Sequence, residues 1–294
     1  MTDIIPFDQR DGFIWYNGEF VEWKDAKVHV LNHGLHYASC VFEGEKIYNG
    51  KIFKCDEHSK RLHKSAEILG FKVPYCAEEL NKFKVEAVAK QNIDEGYMRV
   101  FAWRGSEKMA ISAQNNTIHV AIACWPWPPY YSAEARKKGL NLKFATYKRP
   151  SPETAPTSAK AAGLYMICTL SKHEAESEGY NDALMLDYRG YLAEATGANL
   201  FLVMKNDELH TPTPDCFLDG ITRRTIIELA KKRGLTVVER HIKPEELANA
   251  KDAFLTGSAA EVTRIGSVGK EYNYPQASQI TLDLMNDYHE LVRK

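Results

Sequence analysis

Residues 154–171 read TAPTSAKAAGLYMICTLS, and Lys160 is the only charged residue in this run of small and apolar side chains. Other lysines lie in charged company, as in Lys137-Lys138 and Lys231-Lys232. Burial disfavours an ammonium ion, so we expect the pKa of Lys160 to fall and a nucleophilic amine to become accessible near neutral pH. A Schiff-base lysine needs this property. The alternative is a lysine at a helix start whose ammonium group reaches solvent.

Composition argues against several classes of protein. Acidic and basic residues are interspersed and give a net charge of -1, so we expect no nucleic acid partner. No apolar stretch approaches membrane-spanning length, and the first residues do not follow the signal-peptide pattern. The six cysteines show no CxxC spacing, which favours free thiols over disulfides or a zinc site. We expect a cytoplasmic protein with no membrane partner and no metal.

The length of 294 residues predicts two domains. The stretch WPWPPYYS at residues 125–132 contains three prolines, which interrupt both helical and strand periodicity. We therefore expect an N-terminal domain over residues 1–130 and a C-terminal domain, carrying Lys160, over residues 131–294.

The first half of the chain is predicted to contain hairpins, helices and strands. Asn17-Gly18 and Asn49-Gly50 lie between β-forming residues, as is typical of two-residue hairpin turns. The segment 27–44 predicts a strand, a turn and a strand, and no metal-ligand motif accompanies its three histidines. Periodicity and end signals predict helices over 56–70, capped by Asp56, and 77–91, and strands over 97–104 and 117–125.

Three polar side chains in these elements are open to two interpretations. Arg61 lies at the edge of the buried stripe of helix 56–70, where an exposed surface arginine is the simpler interpretation. Tyr97 and Arg99 are two apart in a strand and share one face. On that face Arg99 meets either solvent or an anionic ligand.

The second half contains one carboxylate in uncharged company, Glu194 in the stretch AEATGAN. A buried carboxylate needs a cationic or hydrogen-bonding partner, and a protonated ring nitrogen or an arginine would serve. A hairpin over 183–193 precedes it. The helix after Lys160 is predicted to end at Gly179 and to bury Leu164, Ile167, Cys168 and Leu170.

Two turns resemble anion sites. Residues 218–234 read as a glycine turn entering a helix, and such helix starts present N–H groups to phosphate. Gly257-Ser258-Ala259 follows a strand as a tight, donor-rich turn. An ordinary capped helix is the alternative for the first.

A lysine in uncharged surroundings, a buried glutamate and phosphate-binding turns are the parts that a pyridoxal 5'-phosphate enzyme needs. The residues also resemble a known family. PTSAKAAGLY around Lys160, YLAEATGANLF around Glu194, DGIT and TGSAAE are similar to the class IV aminotransferases. Within that class, HVLNHGLHYASCVFEG, RLHKSAEILGF, YMR and WPWPPY most resemble the branched-chain amino acid aminotransferases. The resemblance runs from about residue 14 to residue 269.

The resemblance implies a two-domain fold type IV enzyme of class α/β, with a smaller N-terminal α/β domain and a larger C-terminal pseudo-barrel. Lys160 would bond the cofactor aldehyde and move the proton between substrate Cα and cofactor C4′. Glu194 would pair with the ring nitrogen and Tyr165 with the ring O3′. The phosphate would be held by Arg61, Ile221, Thr222 and Ser258.

The resemblance also implies a substrate pocket. Its lining would be Phe42, Gly44, Tyr97, Tyr130 and Ala259. Arg99 would receive the distal carboxylate of glutamate. Tyr37 would reach the site of a neighbouring subunit, because the family's sites form at a dimer interface, so we expect a homodimer or a larger homo-oligomer of dimers.

Several positions depart from the family pattern. Ala38 and Cys40 replace smaller residues, Glu45-Lys46 stands where Ile-Arg is frequent, and Val100 replaces a proline. Lys108-Met109-Ala110 replaces a glycine-flanked loop, and Ser258 replaces threonine. These changes affect the pocket rather than the cofactor chemistry.

The implied reaction is transamination between branched-chain L-amino acids and 2-oxoglutarate. Relatives on the same fold are the nearest alternative: a D-amino acid aminotransferase, an (R)-amine transaminase or an aminodeoxychorismate lyase. The pair Tyr97 and Arg99 favours the branched-chain branch, and Glu45-Lys46 mildly opposes it. A cofactor-binding regulatory protein and a cofactor-free Schiff-base lyase are the alternatives from other classes.

Overall fold

The computed structural model describes residues 5–128, 131 and 138–294. The chain forms two compact units. The first contains the described residues up to Pro128 together with Ala159–Gly163, and the remaining described residues form the second. The segment that carries Lys160 therefore belongs to the first unit, whereas the sequence analysis predicts it in the C-terminal domain. The two-domain division near Tyr131 stays a prediction.

The first unit is built on a six-stranded antiparallel sheet in the order β2-β1-β6-β5-β3-β4. Its strands are β1 Phe13–Tyr16, β2 Glu19–Glu22, β3 Cys40–Tyr48, β4 Lys51–Ile52, β5 Gly96–Arg104 and β6 Ile118–Pro126. The two predicted hairpins are confirmed. Asn17 and Asn49 have φ of 51° and 49°, the left-handed conformation that a two-residue turn requires and that asparagine tolerates.

One face of this sheet carries two helices, α2 Cys55–Ile68 and α3 Ala77–Lys90. Alternate residues of β5, Met98, Val100 and Ala102, are fully buried and pack in one core with Leu62 and Leu80 of these helices. Tyr97 and Arg99 therefore lie on the opposite face, as the strand periodicity predicted.

Two predictions in this unit are wrong. The segment 27–44 holds a short helix, α1 His33–His36, before β3, instead of a strand, a turn and a strand. His33 is buried and its ring bonds the Ala110 carbonyl, so a tertiary contact overrides the local strand propensity. Asp56 does not cap α2, which begins after Lys54 with φ of 52°.

The second unit is built on a nine-stranded mixed sheet. The strands are β7 Leu140–Phe144, β8 Asp182–Leu186, β9 Leu192–Ala195, β10 Asn199–Met204, β11 Leu209–Pro212, β12 Val237–Arg240, β13 Ala250–Gly257, β14 Glu261–Val268 and β15 Tyr272–Asn273. The path β10-β13-β14-β7-β8-β9 closes because β9 also pairs with β10. The predicted α/β class and pseudo-barrel are confirmed.

Among the described residues of this unit are the helices α4 Met166–Ser177, α5 Ile221–Lys232 and α6 Gln279–Leu291. Short 3-10 turns cover Phe7–Gln9, Trp23–Asp25, Ala162–Tyr165 and Pro244–Asn249. The predicted face of α4 is partly wrong: Cys168 is buried, but Leu170 is 43% exposed, and Ser171 and Ala175 take the inner positions. None of the described helices is long and apolar enough to cross a membrane.

Candidate active site

The main chain fixes Lys160 from both sides. The amide of Phe42 in β3 donates to the Lys160 carbonyl at 3.1 Å, and the amide of Lys160 donates to the Ser65 hydroxyl of α2 at 3.0 Å. Val41 and Ala161 form an antiparallel bridge beside them. Residues 159–163 thus extend the edge of the first sheet and hold the lysine against it.

The amine of Lys160 has the altered acidity that its sequence surroundings predict. Its Nζ lies 4.8 Å from the centre of the Phe42 ring. Burial, and secondarily the charge of Arg61, lowers the pKa of Lys160 to about 8, against a smaller opposite effect of Glu43. A substantial fraction of the amine is therefore neutral near physiological pH, as a nucleophilic lysine requires.

Arg61 is not the exposed surface arginine of the simpler interpretation. Its Nε and Nη2 donate to the two carboxylate oxygens of Glu43 at 2.6 and 2.8 Å. The Arg61 side chain is 13% exposed, and Glu43 is fully buried. His58, one helical turn before Arg61, has Nδ1 2.6 Å from the same carboxylate. The arginine is thereby held in one orientation.

The opposite face of β3 and β5 forms an aromatic and cationic surface. The register pairs Gly44 with Arg99 and Phe42 with Phe101. A Cβ atom at Gly44 would lie 1.9 Å from the Tyr97 hydroxyl, so only glycine leaves room for this ring. Arg99 lies 4.7 Å from the Phe42 ring centre and its Nη2 is 3.5 Å from the Tyr97 hydroxyl.

Arg99 is also incompletely bonded. Its Nε is buried and has no hydrogen-bond partner among the described residues. Buried donors are nearly always satisfied in native structures. A guanidinium with an unmet donor beside two aromatic rings fits the binding of an organic carboxylate.

The other predicted pocket residues are less defined. Tyr130 lies outside the described residues. Tyr37 is 45% exposed and its ring stacks on His33 with centres 4.7 Å apart. Ala259 lies half-buried in the turn between β13 and β14.

In the second unit, Glu194 has both kinds of partner that its burial demands. The amide nitrogen of Asn199 donates to its Oε2 at 3.1 Å, and Arg149 Nε lies 3.4 Å from its Oε1. Asn199 also donates to the Leu218 carbonyl, so the carboxylate is tied to the segment that leads into α5.

Arg149 is a partner of Glu194 that the sequence analysis missed. It is 4% exposed, and its Nη1 lies 3.4 Å from the Cys168 sulfur. Burial opposes its charge, but Glu194, Cys168 and Tyr165 outweigh burial and raise the pKa of Arg149. In the sequence this arginine stands between Lys148 and Pro150 in a loop. An exposed arginine would show the same local pattern, so the sequence does not reveal that Arg149 is buried.

The start of α5 fits an anion. Gly220 occupies the N-cap and no side chain caps the helix, so its first N–H groups are available to a ligand. Ile221 and Thr222 are buried there. A Cβ atom at Gly220 would lie 2.2 Å from Asn199 Oδ1.

The second predicted anion turn begins at Gly257, the last residue of β13, and continues through residues 258–260, with Ser258 half-buried. In β13, Thr256 Oγ1 is buried without a hydrogen-bond partner among the described residues. The second unit thus offers an unmet hydroxyl, an uncapped helix start and a buried carboxylate, and the first offers an amine of lowered pKa, which are the kinds of group that pyridoxal phosphate requires. The residues present therefore fit that cofactor.

Comparisons with known proteins agree with this chemistry. A family model described as amino-transferase class IV matches residues 40–268. A probable branched-chain-amino-acid aminotransferase of Rickettsia felis is 41% identical over 99% of both chains. The solved structure of the branched-chain amino acid aminotransferase of Escherichia coli is 36% identical, with a TM-score of 0.92 over 96% of this chain and 95% of that one.

A third comparison concerns the cofactor. The branched-chain amino acid aminotransferase of Thermobaculum terrenum, solved in its PLP-bound holo-form, is 28% identical, with a TM-score of 0.87 over 97% of this chain and 95% of that one.

Proposed function

Because this chain belongs to the class IV aminotransferase family, we infer that it is a pyridoxal-phosphate-dependent branched-chain-amino-acid aminotransferase. It transfers the amino group between leucine, isoleucine or valine and 2-oxoglutarate, giving the branched-chain 2-oxo acids and L-glutamate. Similarity to branched-chain enzymes over nearly the whole chain carries this inference. It favours the branched-chain reaction over the D-amino acid, (R)-amine and lyase alternatives.

We propose that Lys160 is the catalytic base. When bound, the cofactor ring withdraws the electron pair left at the substrate Cα. Lys160 would hold the cofactor aldehyde through Nζ and, once the substrate amine has taken its place, would move the proton from the substrate Cα to the cofactor carbon C4′. The pKa of about 8 supports this role, because a group that acts first as a base and then as an acid works best when its pKa lies near the operating pH.

Glu194 holds the proton on the cofactor ring nitrogen in this proposal. Its burial and its contacts with Asn199 and Arg149 support a carboxylate that stays ionised and fixed. Tyr165 would bond the ring O3′. The phosphate would be bound by Arg61, Ile221, Thr222 and Ser258. The uncapped start of α5 supports this role for Ile221 and Thr222.

The substrate side chain meets the surface formed by Phe42, Gly44 and Tyr97. Aromatic rings suit an aliphatic side chain, while Arg99 at their edge binds the distal carboxylate of glutamate. One pocket thereby accepts both substrates of the reaction. Tyr130 and Ala259 complete the proposed lining.

We propose a homodimer, or an oligomer of dimers, in a reducing cytoplasm. A cluster of exposed apolar side chains lies in the segment before β3, namely Val28, Val30, Leu31, Leu35 and Tyr37. Exposed apolar clusters of this kind mark protein interfaces. Tyr37 in this cluster would contact the partner's substrate. The six free cysteines support the reducing compartment.

The test is a visible absorption spectrum of the purified protein with pyridoxal phosphate, before and after L-leucine and then 2-oxoglutarate. A band that changes with L-leucine and recovers with 2-oxoglutarate is expected. A band that responds only to D-alanine would move the enzyme to the D-amino acid branch. No band would contradict the assignment of Lys160. Lys160→Ala is the matched control and should show no turnover.

A further inference from the structure

The carboxylate of Glu43 accepts four hydrogen bonds. Its oxygens accept from Arg61 Nε and Nη2, from His58 Nδ1 and from the Gly44 amide. Both Glu43 and His58 are almost fully buried. The carboxylate is ionised, because Arg61 and His58 outweigh burial and hold the pKa of Glu43 well below its usual value. His58 Nδ1 must then carry the proton.

We propose that Glu43 and His58 are positioning residues for phosphate recognition: they lock the guanidinium of Arg61 by its Nε and Nη2 edge, so that it meets the cofactor phosphate already oriented. This inference rests on the proposed role of Arg61. A guanidinium is a rigid planar fork, so fixing one edge fixes the direction of its other donors. Prior orientation saves the ordering cost of a long side chain on binding.

The local fold explains why these three groups meet. Glu43 lies on the helix-facing side of β3, opposite fully buried Val100. His58 and Arg61 are three apart on α2 and therefore share one face. The sheet and the helix thus place one anion against two donors from a single helical turn.

One further observation links this cluster to the cofactor chemistry rather than to folding alone. The charges of Arg61 and Glu43 both act on the Lys160 amine, with opposite sign. The second buried carboxylate of the strand, Glu45, pairs instead with Lys84 at 2.6 Å. Glu45 is therefore a matched control for burial, strand and charge.

The test compares the dissociation constants of pyridoxal phosphate and of pyridoxal, which lacks the phosphate, by equilibrium dialysis of the full-length protein and absorption. Glu43→Gln and His58→Leu should weaken pyridoxal phosphate about tenfold or more, as loss of a partner that orients a ligand does elsewhere, and leave pyridoxal unchanged. His58→Asn keeps an N–H donor at the place of Nδ1 and should restore most of the affinity. Glu45→Gln should leave the ratio of the two constants unchanged.

Three outcomes separate the alternatives. Equal weakening of both ligands, or no weakening, would overturn the positioning role while leaving the enzyme assignment intact. A wild-type protein that binds neither ligand would overturn the proposed function as well. In an Arg61→Ala background, Glu43→Gln should cause no further loss, and an additive loss would show that Glu43 acts elsewhere. If Glu43→Gln does not fold, the two His58 variants decide.

Discussion

At the residue scale, Ala38 carries a backbone cost that a single substitution would remove. Its φ is 55°, in the left-handed region where a Cβ atom costs about 1–2 kcal/mol. Ala38→Gly should therefore raise the free energy of unfolding by up to about 1 kcal/mol, after the greater chain entropy of glycine is subtracted. Denaturant unfolding measures the change.

Ala26→Gly is the control for this prediction. Ala26 has φ of -71°, which alanine adopts without strain, so the same substitution should stabilise nothing there. Equal effects at both positions would contradict strain at Ala38.

Arg99 provides a prediction on substrate choice. Arg99→Gln removes the charge proposed to bind the distal carboxylate of glutamate but keeps a polar side chain next to Tyr97 and Phe42. A hydrogen bond to a charged group contributes about 1.5–3 kcal/mol, so kcat/KM for glutamate should fall about 10- to 100-fold. The value for leucine should change much less. Steady-state kinetics with both donors measure this, and equal losses would argue against a carboxylate role.

Some residues of the candidate site can be recognised from the sequence alone, and others cannot. Lys160 and Glu194 stand out because each is a lone charge in an uncharged run, and burial then follows from the neighbours. Arg149, Glu43 and His58 were missed because their partners are distant in the chain or lie on another element. A charge whose partner is elsewhere has the same local pattern as a charge in solvent. The two acids of VFEGEKIY, in a strand that is otherwise mostly apolar, were the available signal.

At the element scale, β3 and α3 are joined by a buried ion pair where the family resemblance leads one to expect an apolar residue. Glu45 and Lys84 are both fully buried, with Nζ 2.6 Å from Oε1, and Lys84 also donates to the Ser59 hydroxyl at 2.8 Å. Lys84 lies at helical spacing from Leu80 and Val88, on the buried face of α3, but a lysine is ordinarily assigned to solvent, which explains why this contact was not predicted. The pair fixes how α3 sits on the sheet.

Removing one member of this ion pair should lower the free energy of unfolding, whereas removing both members should not. Lys84→Met alone leaves a buried, uncompensated carboxylate and should cost about 3–5 kcal/mol of unfolding free energy. The double variant Glu45→Ile with Lys84→Met removes both charges and should be neutral or more stable. Chemical denaturation of the wild type, both single variants and the double variant forms the cycle. A double variant as unstable as Lys84→Met would show that the ion pair itself stabilises the fold.

At the scale of the whole molecule, Lys160 makes the stability of the cofactor-free protein depend on pH. Its pKa falls from 10.5 to about 8 on folding. Between these values the unfolded chain binds a proton that the folded chain does not, so this residue makes the free energy of unfolding rise as pH increases through that window. Below about pH 8 both states are protonated, and the buried charge destabilises the fold.

Lys160→Met should therefore be more stable than the wild type near neutral pH, and the difference should shrink between about pH 8 and 10.5. Measuring the difference between the two proteins removes the contribution of the cysteines, which titrate in the same range. A difference that does not vary with pH would mean that the amine is not buried in the folded state.

The exposed apolar cluster of residues 28–37 gives a prediction on assembly. Leu35 is 68% exposed there and Val30 75%, and a stable dimer buries about 800 Å² on each partner. Leu35→Lys would place a charge in that interface, and desolvating it should weaken association by at least about tenfold. Val85 on α3 is 60% exposed but lies outside the cluster, so Val85→Lys should leave association unchanged. Sedimentation over a range of concentrations measures both. If Tyr37 serves the partner's site, activity of Leu35→Lys should fall on dilution in step with dissociation, and full activity in a monomer would show that each chain is complete without its partner.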